Sequence, residues 1–241
     1  MEKNFLDSLN DWGTILTDTY EKATLHMVKP TKHESGVLYV PSEYAKNLGT
    51  KIGSTVIVPD GVQSIGWNAF TNCTEIVNVQ LPDTLTHMGT LAFNECVNLT
   101  TINIPSSMER FGNMCFTNCK SLENINLNTR VKTIPPFCFH GCNFKTLEIP
   151  SNIKKLEADA FGLCPDLETL KLNEGLTFIG SKAFSSCFKL TGKLVIPRSV
   201  GYIDVDAFAS TYLDKVYVDK SRVGKFDKNW NRFCPAKIVY Y

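Results

Sequence analysis

The stretch INIPSSMERFGNMCFTNCKSLEN, residues 102–124, is one copy of a unit of about 23 residues that recurs seven times between Val56 and Lys215. Every copy has a phenylalanine at the same place, and six have a cysteine three positions later. These residues are Phe70, Phe93, Phe116, Phe139, Phe161, Phe184 and Phe208, with Cys73, Cys96, Cys119, Cys142, Cys164 and Cys187. Self-similarity at this period is typical of a solenoid, in which each coil buries its apolar side chains against its neighbours.

The quoted copy begins as a short strand. Ile102 and Ile104 alternate with Asn103, and Pro105 ends the strand because it has no N–H to donate. The same template predicts strands around Val56/Val58, Val79/Leu81, Ile125/Leu127, Leu147/Ile149, Leu170/Leu172 and Leu194/Ile196.

The rest of the copy predicts a turn. Met108 and Phe111 lie three residues apart, as expected for inward side chains of a 3-10 or irregular helical turn. Gly112 permits a sharp bend or a positive φ. Cys115 occupies a position that holds alanine in five other copies, so we expect it to fill core volume rather than bind zinc.

The repeat resembles the BspA-like leucine-rich repeat, also called the Treponema pallidum type. Leu99-Thr-Thr-Ile-Asn-Ile-Pro105 and Ile179-Gly-Ser-Lys-Ala-Phe184 carry the resemblance. It implies an α/β repeat solenoid: a curved right-handed coil with a parallel β-sheet on its concave face and short helical or 3-10 turns outside. It also implies a role in binding or adhesion rather than catalysis.

We divide the chain into three parts on this basis. Residues 1–55 form an N-terminal helical leader and a degenerate first coil, residues 56–215 form seven repeats, and residues 216–241 form a C-terminal capping unit. Trp230 is expected to cover the last open coil.

The leader has a helical pattern of its own. Phe5, Leu9, Trp12 and Leu16 recur at helical spacing. Residues 38–40, followed by proline, imitate the first strand of a coil. The leader therefore either caps the solenoid or attaches it to something else.

Charge and composition restrict the partners. The hydrophobic content of 43% predicts a folded protein, and the net charge of +1 makes nucleic acid an unexpected partner. From residue 182 onward there are eleven Lys or Arg against five Asp. This basic end is either a solvated cap or a docking site for an acidic partner.

Targeting signals are not visible in the sequence. No signal peptide and no apolar run of about 18 residues occur. We expect a cytoplasmic protein or part of an assembled particle, with a surface location left open.

The nine cysteines do not predict disulfides, because their number is odd and their spacing follows the repeat. Equivalent side chains on stacked coils also point the same way, which disfavours disulfide geometry. We interpret them as reduced, buried thiols that act as small apolar groups and weak donors.

The sequence contains no recognisable catalytic or metal-binding pattern. The four histidines, His26, His33, His87 and His140, have no metal or catalytic spacing, and no phosphate loop or nucleophile elbow is present. The sequence predicts no enzyme, no cofactor and no metal.

The remaining candidate is a surface formed by the outward residues of the predicted strands. These candidate partner-binding residues are Asn78, Gln80, Thr101, Asn103, Asn124, Asn126, Glu148, Lys171, Lys193, Lys215 and Tyr217. Amide groups both donate and accept hydrogen bonds, which suits another protein or a glycan. The alternative is that these side chains only solvate the sheet.

Three functions follow from these observations. The first is a non-enzymatic protein–protein interaction or adhesion module that uses this strip and the basic end. The second is a structural component of a larger particle, such as a phage virion or tail, anchored through residues 1–55. The third is a surface adhesin exported by an unrecognised route.

Overall fold

The structure of the protein, a computed structural model, describes residues 25–27, 30–32, 38–40 and 54–241. These residues contain a 3-10 helix at Val223–Lys225 and eighteen strands. In chain order the strands are β1 Leu25–Met27, β2 Thr31–Lys32, β3 Leu38–Val40, β4 Ser54–Ile57, β5 Val62–Ile65, β6 Ile76–Gln80, β7 His87–Met88, β8 Thr101–Ile102, β9 Arg110–Phe111, β10 Thr133–Ile134, β11 Thr146–Ile149, β12 Lys155–Leu156, β13 Thr169–Leu172, β14 Phe178–Ile179, β15 Thr191–Val195, β16 Tyr202–Ile203, β17 Tyr212–Val218 and β18 Lys237–Tyr240.

The strands stack as a parallel β-solenoid of about eight coils. One set, which we call the first ladder, contains β1, β4, β6, β8, β11, β13, β15, β17 and β18. Its hydrogen-bonded groups are β1-β4-β6-β8, β11-β13 and β15-β17-β18, and all of their pairings are parallel. The predicted solenoid and its parallel sheet are therefore confirmed.

One predicted strand is missing from the first ladder. The segment around Ile125 and Leu127 has no strand, although Leu127 is buried. The Asn126 Oδ1 accepts a hydrogen bond of 3.0 Å from the backbone N–H of Asn128. Such a local bond offers the backbone an alternative to the ladder, which explains the interruption.

A second ladder replaces the predicted helical turns. It consists of β2-β3-β5-β7-β9 and β10-β12-β14-β16, parallel except where β2 meets β3. Met108 and Phe111 point into the core as predicted, but Phe111 lies on β9. The described residues contain no α-helix, so the helical part of the predicted α/β class is not confirmed there.

The first coil begins earlier in the sequence than the prediction placed it. Leu38–Val40 pairs with β5 and so belongs to the second ladder. The strand that opens the first ladder is Leu25–Met27, which pairs with β4. The helix predicted from Phe5 to Leu16 lies outside the described residues.

The core is built around a continuous stack of the repeated phenylalanines. All seven are fully buried. Successive rings lie 5.0–5.7 Å apart between centroids, with interplanar angles of 3–11°. Stacked aromatic pairs add stability beyond the area they bury, so each ring supports both of its neighbours.

The backbone around each phenylalanine adopts an unusual conformation. Leu91 and Glu95, two residues before and after Phe93, have φ of 59° and 58°. The N–H groups of Leu91, Phe93 and Glu95 then donate to carbonyls of the next coil at 2.8–2.9 Å. Positive φ costs about 1–2 kcal/mol for a residue with a side chain. Repeated hydrogen bonds between coils offset this cost.

The repeated cysteines join the coils through hydrogen bonds. The Cys96 Sγ donates to the carbonyl of Phe70 at 3.1 Å, and the Cys119 Sγ donates likewise to Phe93. The same bond recurs at Cys142, Cys164 and Cys187, at 3.2–3.4 Å. All nine thiols are free. The predicted buried, weakly donating thiols are thus present, and burial raises the pKa of Cys119 to about 12.

Thiol reactivity should reflect this burial. Eight cysteines are buried, whereas Cys234 is half-buried. We expect one thiol to react rapidly with Ellman's reagent in the native protein and nine after unfolding, because only a thiolate in reach of the reagent reacts. The variant Cys234→Ser should remove the fast phase. Two or more fast thiols in the native protein would contradict the packing described here.

The segment around Trp230 and Arg232, which we call the closing segment, packs against the end of the phenylalanine stack. The Trp230 ring packs edge-on against Phe208, with centroids 6.2 Å apart, and is itself buried. The Asp206 carboxylate accepts two hydrogen bonds from the Arg232 guanidinium, at 2.6 Å and 2.9 Å. This bidentate pair ties the last repeat to the closing segment.

The Asp206–Arg232 pair predicts a pH-dependent stability. Hydrogen bonds from Arg232 hold the pKa of Asp206 below its ordinary value of 3.8. A depressed carboxyl pKa stabilises the fold fully above that ordinary value, and the contribution is lost as pH falls through the depressed one. We expect Asp206→Asn to lower the urea midpoint at neutral pH and to have a smaller effect at about pH 3, below the ordinary pKa of the carboxyl. An equal difference at both pH values would contradict this prediction.

Candidate binding surface

The predicted strip of outward side chains exists on the first ladder. Along β6 and β11, core residues such as Val79 and Leu147 alternate with polar residues on the other face. Parallel register then aligns the polar positions of successive coils, as with Asn78 opposite Thr101 and Glu148 opposite Lys171. The buried side chains therefore fix the spacing of the exposed ones.

The first part of the strip is uncharged. Gln80, Thr101 and Asn103 are exposed, and Asn78 is half-buried. The Asn78 Nδ2 lies 3.5 Å from the Thr55 hydroxyl of the preceding coil. This part presents amide and hydroxyl groups from two neighbouring coils, those of β6 and β8.

The middle of the strip departs from the prediction. Asn124 and Asn126 are exposed, but they lie in the segment that has no strand. The Asn126 Oδ1 is already used by the backbone of Asn128. These two residues are therefore not part of the regular array formed by the others.

The strip becomes charged at Glu148 and Lys171. The Lys171 Nζ donates to the Glu148 carboxylate at 2.9 Å, and the Asn173 Nδ2 donates to the same oxygen at 2.7 Å. These bonds lower the pKa of Glu148. Both charged side chains are more than half exposed, so their unused hydrogen-bonding positions face solvent.

The last part of the strip is basic and apolar. Lys193 stands opposite Lys215, and Val195 stands opposite Tyr217. Lys237 of β18 lies opposite Lys215 and so extends the strip by one residue. The sequence alone did not place Lys237 there. A sequence pattern could have identified Lys237, because the same order of one lysine followed by three apolar or aromatic residues occurs three times. The three segments are Lys193-Leu-Val-Ile, Lys215-Val-Tyr-Val and Lys237-Ile-Val-Tyr.

His140 and Asp159 lie close together outside the strip. His140 Nδ1 lies 3.7 Å from an Asp159 oxygen, too far for a hydrogen bond, and has no other partner in the described part of the chain. Burial lowers the pKa of His140 and raises that of Asp159, which disfavours charge on both. The described residues contain no cluster of three or more His, Cys, Asp or Glu that could hold a metal ion.

Among residues 25–27, 30–32, 38–40 and 54–241 there is no helix with the length and apolar character that crossing a membrane requires.

Comparison with known structures shows the same fold in two bacterial proteins. A leucine-rich repeat protein of T. pallidum is 18% identical, with a TM-score of 0.62 over 89% of this chain and 97% of that one. A leucine-rich cell surface protein of Faecalibacterium prausnitzii is 22% identical, with a TM-score of 0.51 over 83% of this chain. The chain spans 62% of the length of that second protein.

Sequence comparison identifies the family. The BspA type leucine-rich repeat region matches residues 49–168 and 121–235 in six copies. A search of curated proteins finds no significant match. Because the family match extends over most of the chain and agrees with the observed solenoid, this protein belongs to the BspA type leucine-rich repeat family.

Proposed function

We propose that this chain is a non-enzymatic module that binds another protein on the outward face of the first ladder. The family supports this proposal, because the leucine-rich repeat fold is typical of protein-interaction and surface proteins. In this proposal the first ladder is the concave face of a curved solenoid. Residues 56–215 supply the repeats, residues 216–241 cap them, and residues 1–55 cap or attach the other end.

The observation that carries the proposal is that the residues of the strip lie on strands whose other face is packed into the core. Val79, Leu147 and Leu194 are 2–4% exposed and lie on the same strands as the polar residues of the strip. A partner that contacts the strip therefore meets side chains whose backbone is already ordered. Such preorganisation lowers the entropy cost of association and favours binding through many modest contacts.

A second candidate function is adhesion at a cell surface. One structure with this fold comes from a protein described as a leucine-rich cell surface protein. In that case the uncharged part of the strip, which carries Gln80 and Asn103, is suited to a glycan as well as to a protein. The experiment below distinguishes these two functions by whether the ligand is a protein or a glycan.

The test compares two matched triple variants of the full chain. The first, Gln80→Ala/Asn103→Ala/Lys171→Ala, truncates exposed residues of the strip. The control, Gln63→Ala/Asn113→Ala/Lys155→Ala, removes the same residue types from exposed positions off the strip. Proteins captured by the wild-type chain are identified, purified and titrated against all three forms.

We expect the strip variant to weaken binding at least about tenfold and the control to weaken it less than about twofold. This expectation follows because a few central residues carry most interface energy. Equal affinities for all three forms would overturn the proposed site. A glycan ligand that shows the same pattern would favour adhesion over protein binding.

A further inference from the structure

Three lysines form a row at the C-terminal end of the first ladder. Lys193, Lys215 and Lys237 lie in register on β15, β17 and β18, and all three are exposed. Neighbouring strands are about 4.8 Å apart, so the row extends over about 10 Å. We call these residues the lysine row.

Three lysines of earlier coils are paired with carboxylates, whereas those of the lysine row are not. Lys145, Lys171 and Lys189 each contact a carboxylate of the preceding coil, at 3.1, 2.9 and 2.7 Å. In residues 54–241, by contrast, no ion pair involves any member of the lysine row. Like charges directly opposite one another destabilise a sheet. The row therefore carries a cost that the preceding coils avoid.

The acidic residue on these strands does not compensate the row. Asp214 precedes Lys215 and has no counterpart on β15, because the register shifts between Gly192 and Lys193. It is exposed and forms no ion pair among the described residues.

An apolar row runs parallel to the lysine row. Val195, Tyr217 and Val239 lie in register two residues further along the same strands. The two rows are therefore about 6.6 Å apart. Val195 is 53% exposed, whereas equivalent positions in earlier coils hold Glu148 and Lys171. The same surface thus offers three positive charges beside three apolar side chains.

We propose that this double row binds an acidic amphipathic helix of a partner protein. Carboxylates at positions i, i+3 and i+7 of a helix are about 4.5 and 10.5 Å along its axis from the first, close to the spacing of the lysines. An extended chain would place its same-face residues about 6.6 and 13 Å away, which matches less well. Apolar residues on the neighbouring stripe of that helix cover Val195, Tyr217 and Val239. This inference rests on the proposed function, since it uses the same face of the first ladder.

The test uses a designed, fluorescently labelled helical peptide of about 18 residues, with Glu at i, i+3 and i+7 beside a stripe of Leu. Its affinity for the full chain is measured by fluorescence anisotropy. The variant Lys193→Gln/Lys215→Gln/Lys237→Gln removes the lysine row. The matched control, Lys132→Gln/Lys145→Gln/Lys155→Gln, removes three exposed lysines that lie outside both the strip and the lysine row.

We expect the lysine-row variant to bind the peptide at least about tenfold more weakly, and the control to change less than about threefold. A peptide with the same composition but with its Glu residues scattered around the helix should bind as weakly as the variant does. Equal losses in both variants, or equal binding of the scattered peptide, would overturn the inference by showing a general charge effect. Tighter, row-dependent binding of duplex DNA or heparin would overturn it in favour of a polyanion. Self-association of the full chain that is lost both without residues 1–24 and in the lysine-row variant would instead assign the row to a second copy.

The two proposals can fail separately. A captured partner that binds the Gln80/Asn103/Lys171 variant more weakly supports the proposed function. If at the same time the peptide binds the lysine-row variant as tightly as wild type, only this inference fails. If the peptide depends on the row while no partner depends on the strip, only the proposed function fails.

Discussion

Replacing Phe116 by alanine should lower the free energy of unfolding by about 3–5 kcal/mol, the usual range for an emptied buried phenylalanine site. Phe116 is fully buried and stacks between Phe93 and Phe139, at centroid distances of 5.5 and 5.3 Å. Phe111 also packs edge-on against it at 6.0 Å. Because three rings lose a neighbour at once, collapse of the surrounding side chains cannot refill the cavity. Urea unfolding, followed by circular dichroism and by tryptophan fluorescence, measures the effect.

Phe188 supplies a control of the same residue type. Its side chain is 48% exposed, and Phe188→Ala should change stability by no more than about 0.5 kcal/mol. If the two variants lose similar stability, the stacked phenylalanine column does not hold the coils together. If only Phe116→Ala is destabilised, and both probes report one transition, the column acts on the whole array.

The second large effect is expected for Gly112→Ala, which should cost about 1–3 kcal/mol. A Cβ at this position would lie 2.2 Å from the Thr90 nitrogen and 2.4 Å from the Gly89 carbonyl carbon. These are backbone atoms of the preceding coil, so relief requires the two coils to move apart. Thermal unfolding and urea unfolding of the variant both test this prediction.

Gly224→Ala is the matching control, because a Cβ there would have no atom within 4 Å. We expect it to change stability by no more than about 0.5 kcal/mol. Equal stability of both variants would contradict close contact between the coils that contain Thr90 and Gly112.

The Gly112 position also has a requirement for glycine that the sequence did not reveal. The sequence predicted a bend or a positive φ, but Gly112 is not among the glycines with positive φ. Pro135 and Glu157 occupy the same place in later coils. The requirement for glycine therefore comes from how closely two particular coils approach, which no single copy of the repeat reveals.

The sequence also did not predict the residues with positive φ or the second ladder, because both depend on contacts between coils. Leu91 and Glu95 have φ near 60° although nothing in their residue type favours it. Hydrogen bonds to the next coil hold them there. The strand β9 has two residues, too few to show an alternating pattern, and is defined only by its pairing with β7.

The candidate surface was predicted in part. Alternation along each strand was enough to assign Gln80, Thr101 and Lys193 to the exposed face. It could not show that Asn126 would bond to its own backbone, nor that Lys237 would extend the row of Lys193 and Lys215. Both depend on local geometry in segments where the repeat is imperfect.

The amino-acid sequence by itself determined that this protein is a repeating coil with a phenylalanine column and a thiol column at its core. It could do so because like positions in successive coils meet the same environment and are filled by the same side chains. Only the tertiary structure decided which turns become strands, where the backbone is forced to positive φ, and which lysines have carboxylate partners. Those features arise from contacts between one coil and the next, and their energies depend on distances that a single repeat does not contain.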